Sequence, residues 1–196
     1  MKIFLLFLLI IPFTLSAQKK QWYQFDSTTK KVKYEIVVEM KNVSKEELFE
    51  RAKLWLSKYF NNSSAVIKSE DKEDGSIIGN GIVSSYYYEA IIIEKSKRKK
   101  DTLVSPMKKE RVRFHIAIYL KDNKYKLLLT DFSNLEFLPS EIDWMYLAIA
   151  EKEAKTDSDY SIMMHHRSLL GNLKIEIEAL AYNFNKAMNL KRENDF

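Results

Sequence analysis

Apolar and polar residues alternate from Val32 to Met40. Val32, Tyr34, Ile36, Val38 and Met40 fall on one side, and Lys33, Glu35, Val37 and Glu39 on the other. A period of two with one apolar face predicts a half-buried strand. The period then changes. Leu48, Ala52, Trp55 and Tyr59 recur at helical spacing, flanked by Phe49, Leu56 and Phe60, and form one broad apolar stripe. Ser44 stands before the stripe as an N-cap, with Glu47 three residues on, the pattern of a capping box. Val43 is placed to staple onto Leu48. Asn61-Asn62-Ser63-Ser64 ends the helix. Trp55 has Ala52 and Tyr59 as helical neighbours, so it reads as core rather than as a ligand platform.

Further strands follow. Ala65 to Glu70 and Ser76 to Val83 read as a hairpin across Asp71 to Gly75. Gly79 and Gly81 lie inside its second strand, where glycine marks a bulge, a bend or a close approach of backbone. They do not make a phosphate loop, because no glycine-rich turn opens a helix here. Tyr86 to Ile93 extends this strand or begins another. Lys95 to Lys100 opens a basic segment expected to run past Pro106 to Lys109 as a mobile hairpin tip or loop that projects from the sheet. From Arg111 to Leu120 the alternation is clean, with Val112, Phe114, Ile116, Ile118 and Leu120 on one face. Lys121 to Lys124 makes a tight turn, and Tyr125 to Phe132 returns as the partner strand. Leu48, Trp55 and Tyr59 should pack on the face carrying Tyr34, Ile36, Val38, Phe114, Ile116 and Ile118. Ser140 to Lys155 has a helical pattern in Ile142, Met145, Tyr146 and Ile149. Thr156 to Asp159 is positioned to cap a last helix, whose stripe is Leu173, Ile177, Leu180, Phe184 and Ala187. Gly171 marks a bend in that helix or a late start.

The first seventeen residues change the picture. Met1-Lys2 is a short positive start, Ile3 to Leu15 is apolar, and Ser16-Ala17 supplies small residues. This is the pattern of a secretory signal peptide cleaved near Ala17. Leu15 is unusual three residues before that cut, which leaves cleavage after Ser16 as the alternative. The run is too short to span a bilayer, which takes about 20 apolar residues. The reading divides the chain into a signal peptide (1–17), a polar leader (18–31), one domain (32–190) and a tail (191–196). The leader, with Trp22, Tyr23 and Phe25, is an edge segment or a tether. An exported protein with no cysteine has no disulfides, so its core must hold the fold unaided. Losing Lys2 lowers the net charge from +5 to +4, weak evidence for anionic partners. Export argues against nucleic acid as one of them.

Strand, helix, four strands and helix is an α+β order. Lys41 to Phe60 (KNVSKEELFERAKLWLSKYF), Ala65 to Val83 (AVIKSEDKEDGSIIGNGIV) and Leu120 to Phe132 (LKDNKYKLLLTDF) resemble the domain-of-unknown-function family with a TATA-binding-protein-like fold. The resemblance covers roughly Val32 to Phe132. It implies a curved antiparallel sheet with helices on one face, in a protein exported by a Gram-negative bacterium. Its motifs are structural: a cap, a Trp-bearing helix, a glycine hairpin and a charged turn. The family has no established catalytic residues, so it implies no reaction. Tyr86 to Lys109 departs from the pattern in being longer and more basic. A shared fold does not make the chain a DNA binder.

Candidate chemistry is sparse. Met163-Met164-His165-His166 holds the one cluster of donors suited to copper. Adjacent helical residues point about 100° apart, so the four do not converge; an ordinary helix start or surface loop is expected. His115 is a lone sheet-face histidine without a Ser or Cys motif. Asp26, Glu35, Glu39, Asp71, Glu73, Asp74, Asp131 and Asp143 fall on different elements and offer no readable pair. Two surfaces remain. Lys97, Arg98, Lys99 and Lys100 form a basic tip suited to anionic sugars, lipid headgroups or an acidic partner, or simply solvated. Arg113, His115 and Tyr119 would share the second face of the sheet with Lys33, Glu35, Glu39, Lys126, Thr130 and Phe132. That face suits a peptide or glycan if both helices cover the other. The expected function is non-enzymatic binding or assembly in the bacterial envelope. The partner is an envelope protein, a peptide or an anionic glycan, with no cofactor, metal or catalytic residue. A hydrolase of envelope or dietary polymers, and a small-molecule carrier with a cavity between helices and sheet, are the alternatives.

Overall fold

In a computed structural model the described residues are 23–29, 31–60, 66–88, 90–96, 99–134 and 155–190. The signal and leader readings up to residue 22 and the helix expected at 140–155 lie outside them, the latter but for Lys155. In chain order the elements are β1 (Gln24–Phe25), β2 (Val32–Glu39), α1 (Lys45–Tyr59), β3 (Ile67–Asp71), β4 (Ser76–Tyr87), β5 (Ala90–Ser96), β6 (Lys99–Val104), β7 (Lys108–Lys121), β8 (Lys124–Asn134) and α2 (Asp157–Asn189). The main sheet is antiparallel, in the order β1-β2-β8-β7-β4-β3. β1 is a two-residue edge contributed by the leader.

Each element follows from local chemistry. Ser44 caps α1, its hydroxyl accepting from the Glu47 N–H at 3.2 Å. The Glu47 carboxylate takes the Arg51 guanidinium, and Arg51 also donates to the Met188 carbonyl in the last turn of α2. That carbonyl is one of the acceptors a helix end leaves open. Arg51 therefore ties the two helices together. Asp122-Asn123, with Asn123 at a φ of 59°, turns β7 into β8 and clamps the start of α1. Asp122 accepts from the Lys45 N–H at 2.8 Å, and the Asn123 side chain accepts from the Val43 N–H at 3.0 Å.

Both helices cover one face of the sheet. The core joins Leu48, Ala52, Trp55 and Leu56 of α1 to Leu173, Ile177, Leu180 and Phe184 of α2 over Phe114, Ile116, Ile118, Leu127 and Leu129. Tyr34, Ile36, Val38 and Tyr59 pack against it, half-buried. α2 is pinned to the end of β4 by three bonds. Ser85 donates to the Leu169 carbonyl at 2.9 Å, Asn172 donates to the Tyr86 carbonyl at 2.8 Å, and the Tyr88 N–H donates to Ser168 at 3.1 Å.

Three expectations need correction. Residues 95–109 are not one loop. β6 pairs antiparallel with β5 in a separate two-stranded sheet, and β7 already begins at Lys108. The β-branched run Ile91 to Ile93 needs a strand partner, and Leu103, Thr102 and Asp101 stand opposite it. Gly171 does not mark a late start of α2, which begins at Asp157 behind a full Thr156–Asp159 capping box and runs through it. The third concerns Phe132. It is buried against Phe114, ring centroids 5.8 Å apart, rather than on the open face. A bulge shifts the β7–β8 register between Arg113 and His115, with Asp131 at a φ of 53° as the extra residue. One inserted residue reverses the facing of everything after it.

Candidate functional site

The face opposite the helices is open among the described residues. β7 alternates along its length, presenting Lys109, Arg111, Arg113, His115, Ala117, Tyr119 and Lys121 outward and burying the residues between them. Arg113, His115 and Tyr119 therefore do share this face, each exposed. Lys97 and Arg98 lie outside the described residues. Lys99 and Lys100 stand on β6, apart from this sheet.

An apolar patch crosses the middle of the face. Leu128, Ala117 and Ile78 are register neighbours on β8, β7 and β4. Val37 lies diagonal to Leu128 on β2, and Ile82 lies one turn of the pleat beyond Asn80 on β4. Val37, Ile78, Ile82 and Tyr119 are 48, 40, 48 and 38% exposed, high for large apolar side chains. The Lys126 ammonium sits over the Tyr119 ring at 4.7 Å, a cation–π contact at the patch margin. The helices also carry large exposed apolar groups, Leu54 on α1, and Ile162, Ile175 and Tyr182 on α2.

The bulge builds a polar cluster beside the patch. Asp131 accepts from the Lys31 ammonium at 2.7 Å and from the Thr130 hydroxyl at 3.0 Å, and its other contact is His115 Nδ1 at 3.1 Å. Burial pushes the Asp131 carboxyl up. The hydrogen bonds from Lys31 and Thr130 and the charges of Lys31 and His115 outweigh that, and hold it below its ordinary value. Sequence spacing could not pair residues 31, 115 and 131; the only signal was an Asp, a residue that tolerates positive φ. Because the folded value is lowered, the stabilisation is complete above the unfolded value near ~4 and is lost as pH falls through the folded value. Asp131→Asn keeps the backbone conformation and removes the charge. It should cost about 1 kcal/mol at neutral pH. The gap between variant and wild type in denaturant titrations should close below about pH 4. A gap that persists there would mean that the carboxylate charge is not what stabilises the bulge.

The other candidate cluster lies on the helix side. Met163 is buried in the first turns of α2, and His165 meets the buried Tyr87 ring at 4.3 Å, edge to face. Burial and, secondarily, the charge of His165 push His166 down to about 4. Among the described residues no group of three or more His, Cys, Asp or Glu side chains is placed to hold a metal ion. No helix among them is long and apolar enough to cross a membrane.

The comparisons with known proteins agree with this architecture. The model of the family "Domain of unknown function (DUF4468) with TBP-like fold" matches residues 34–134. A crystal structure of a DUF4468 family protein from Bacteroides ovatus superposes with a TM-score of 0.55 at 13% identity, covering 87% of this chain and 93% of that one. A crystal structure of a TBP-like protein from Parabacteroides distasonis gives a TM-score of 0.52 at 18% identity, covering 83% and 96%. At such identities the likeness is one of fold. No curated protein matches the sequence.

Proposed function

Since the chain belongs to the family of domains of unknown function with a TBP-like fold, DUF4468, we propose that it is a non-enzymatic binding or assembly module of the bacterial envelope. In this reading residues 1–17 are removed on export, and the open face of the sheet is the surface that binds. The observation that carries the reading is the apolar patch of Val37, Ile78, Ile82, Leu128 and Ala117 on a face that no helix among the described residues covers. Apolar side chains held on a rigid sheet gain free energy when a partner removes them from water. Their strand partners fix them in place, so little side-chain entropy is lost on binding. DNA is not the partner proposed, because fold alone carries no function and an exported protein does not meet the genome.

The test is the double variant Ile78→Asp/Ile82→Asp. Both positions are solvent-facing, so the fold should hold within about 1 kcal/mol. The protein extracted from its native envelope should begin at Gln18 by intact mass and run as a complex larger than the chain. The double variant should run as the free chain, while Ile162→Asp on α2 should keep the complex. A complex retained in the double variant would remove the open face from the proposal.

A further inference from the structure

We propose that residues 18–22 dock along the bare edge of β2 as a continuation of β1, so that the leader completes the sheet and adds Trp22 to its open face. The inference rests on the export reading, which starts the mature chain at Gln18. β2 pairs with β8 over Tyr34 to Glu39, but with β1 only at Val32 and Lys33. Among the described residues no strand lies against the rest of its outer edge. The Asp26 N–H donates to the Lys31 carbonyl at 3.0 Å, which fixes the phase of the hairpin. In an antiparallel pair the backbone groups of alternate residues point the same way. Lys31 and Lys33 therefore turn theirs towards β1, and Glu35, Val37 and Glu39 turn theirs to the bare part of that edge. Such a row is a template for another strand.

The leader fits that row in register, length and charge. Gln24 stands opposite Lys33 and Phe25 opposite Val32. Continued without a slip, this register sets Trp22 opposite Glu35, Lys20 opposite Val37 and Gln18 opposite Glu39, where β2 ends. A chain that starts at Gln18 thus reaches the end of β2 and no further. Tyr23 already packs against the core with Tyr34, its partner in this register. On the open face Lys20 falls diagonally between Glu35 and Glu39, within reach of both carboxylates. Trp22 falls diagonal to Val37, which is 48% exposed, and widens the apolar patch on its β2 side. Lys19 and Lys20 put charge on the new edge, a common guard against further pairing.

A second copy suits the same edge less well. Two β2 strands paired antiparallel over Glu35 to Glu39 would set Glu35 of each copy against Glu39 of the other, and like charges directly opposite destabilise a sheet. A strand from a separate partner must come from solution. The leader is tethered to Val32 by the β1–β2 hairpin and meets the edge at a high effective concentration. The Asp26 carboxylate holds that hairpin, accepting from the Thr28 and Thr29 N–H groups at 2.9 and 3.0 Å, and so aims the leader back along β2.

Cysteine pairs test this in the chain beginning at Gln18, which has no cysteine of its own. Lys20→Cys/Val37→Cys sets two thiols opposite one another on one face, within the span of a disulfide. Under mild oxidation it should close an intramolecular bond about tenfold faster than Gln21→Cys/Val37→Cys, whose side chains point to opposite faces. Hydrogen exchange gives the second reading. In this register Lys20 directs its N–H at Val37, and Lys19 directs its own away. Lys20→Pro should therefore raise exchange at the Val37 amide by about tenfold or more, and Lys19→Pro by less than about threefold. Equal oxidation of the two cysteine pairs, a disulfide between chains in place of the intramolecular one, or Val37 exchange indifferent to Lys20→Pro would each overturn the docked leader. The start at Gln18 is judged separately by intact mass, and the apolar patch by Ile78→Asp/Ile82→Asp, so each reading can fail alone.

Discussion

Trp55→Ala should lower the free energy of unfolding by about 3–5 kcal/mol, the range for emptying a buried aromatic site. Trp55 is 6% exposed on the inner side of α1. Its ring stacks on Tyr59 at 5.1 Å, meets Phe184 of α2 edge-on at 4.8 Å and Phe60 at 5.9 Å. Phe184 in turn meets the buried Tyr125 of β8 at 5.3 Å. One substitution thus opens a void where α1, α2 and the sheet converge, and three rigid elements cannot collapse into it together. The indole Nε1 has no hydrogen-bond partner among the described residues. Trp55→Phe should therefore cost only lost volume, about 1–2 kcal/mol. Denaturant titration of both variants checks this. A loss below about 1 kcal/mol for Trp55→Ala would place the ring in solvent and α1 elsewhere.

The second large effect is at a glycine. A Cβ on Gly79 would stand 2.2 Å from the Val66 carbonyl oxygen and 3.0 Å from its carbon. Both are backbone atoms, so a rotamer change gives no relief. Opposite Gly79 the β3 register shifts between Ile67 and Ser69, bringing that strand's backbone close. Gly79→Ala should cost about 2–3 kcal/mol, the range of overpacking, and strip amide protection from β3 first. Gly81→Ala should cost a similar amount of about 1–3 kcal/mol, because its Cβ would meet the fully buried Phe114 ring at 2.3 Å. Gly171→Ala supplies the contrast. Nothing lies within 4 Å of its Cβ, and it sits mid-helix. There alanine should stabilise by about 0.5–1 kcal/mol. Hydrogen exchange and thermal melts of the three variants read both sign and place. A neutral Gly79→Ala would mean that β3 does not run against β4 at this point.

The glycines show how far sequence reasoning reaches. Two glycines inside an alternating strand marked a bulge, a bend or a close approach, because glycine weakens a strand unless something needs its freedom or the space. Their position did not say what approaches: backbone at Gly79, a ring at Gly81. Trp55 was legible as core because its helical neighbours were apolar. The partners Phe184 and Tyr125 were not, since they lie over sixty residues away and meet only when α2 docks. The strand pairing of the β5–β6 hairpin was hidden for another reason. Its second strand carries the end of a charge run, and the alternation that reveals a half-buried strand is absent there.

The sequence by itself determined α1, α2, β2, β3, β4, β7 and β8, and the inner faces of β2, β7 and, as far as the bulge, β8. Burial of side chains every second or every third and fourth residue is a local pattern, and it sets which residues turn inward. It likewise determined the caps at Ser44 and Thr156, whose oxygens reach only a few residues ahead. The tertiary structure decided the open face. Arg113, His115 and Tyr119 were assigned to it from period alone, but whether their neighbours are cations, apolar groups or acids depends on strand order and register. A single bulge residue, Asp131, sent Phe132 into the core and joined Lys31 to His115 on the outside. Alternation cannot locate such an insertion, because a bulge changes the phase of a strand without changing its composition.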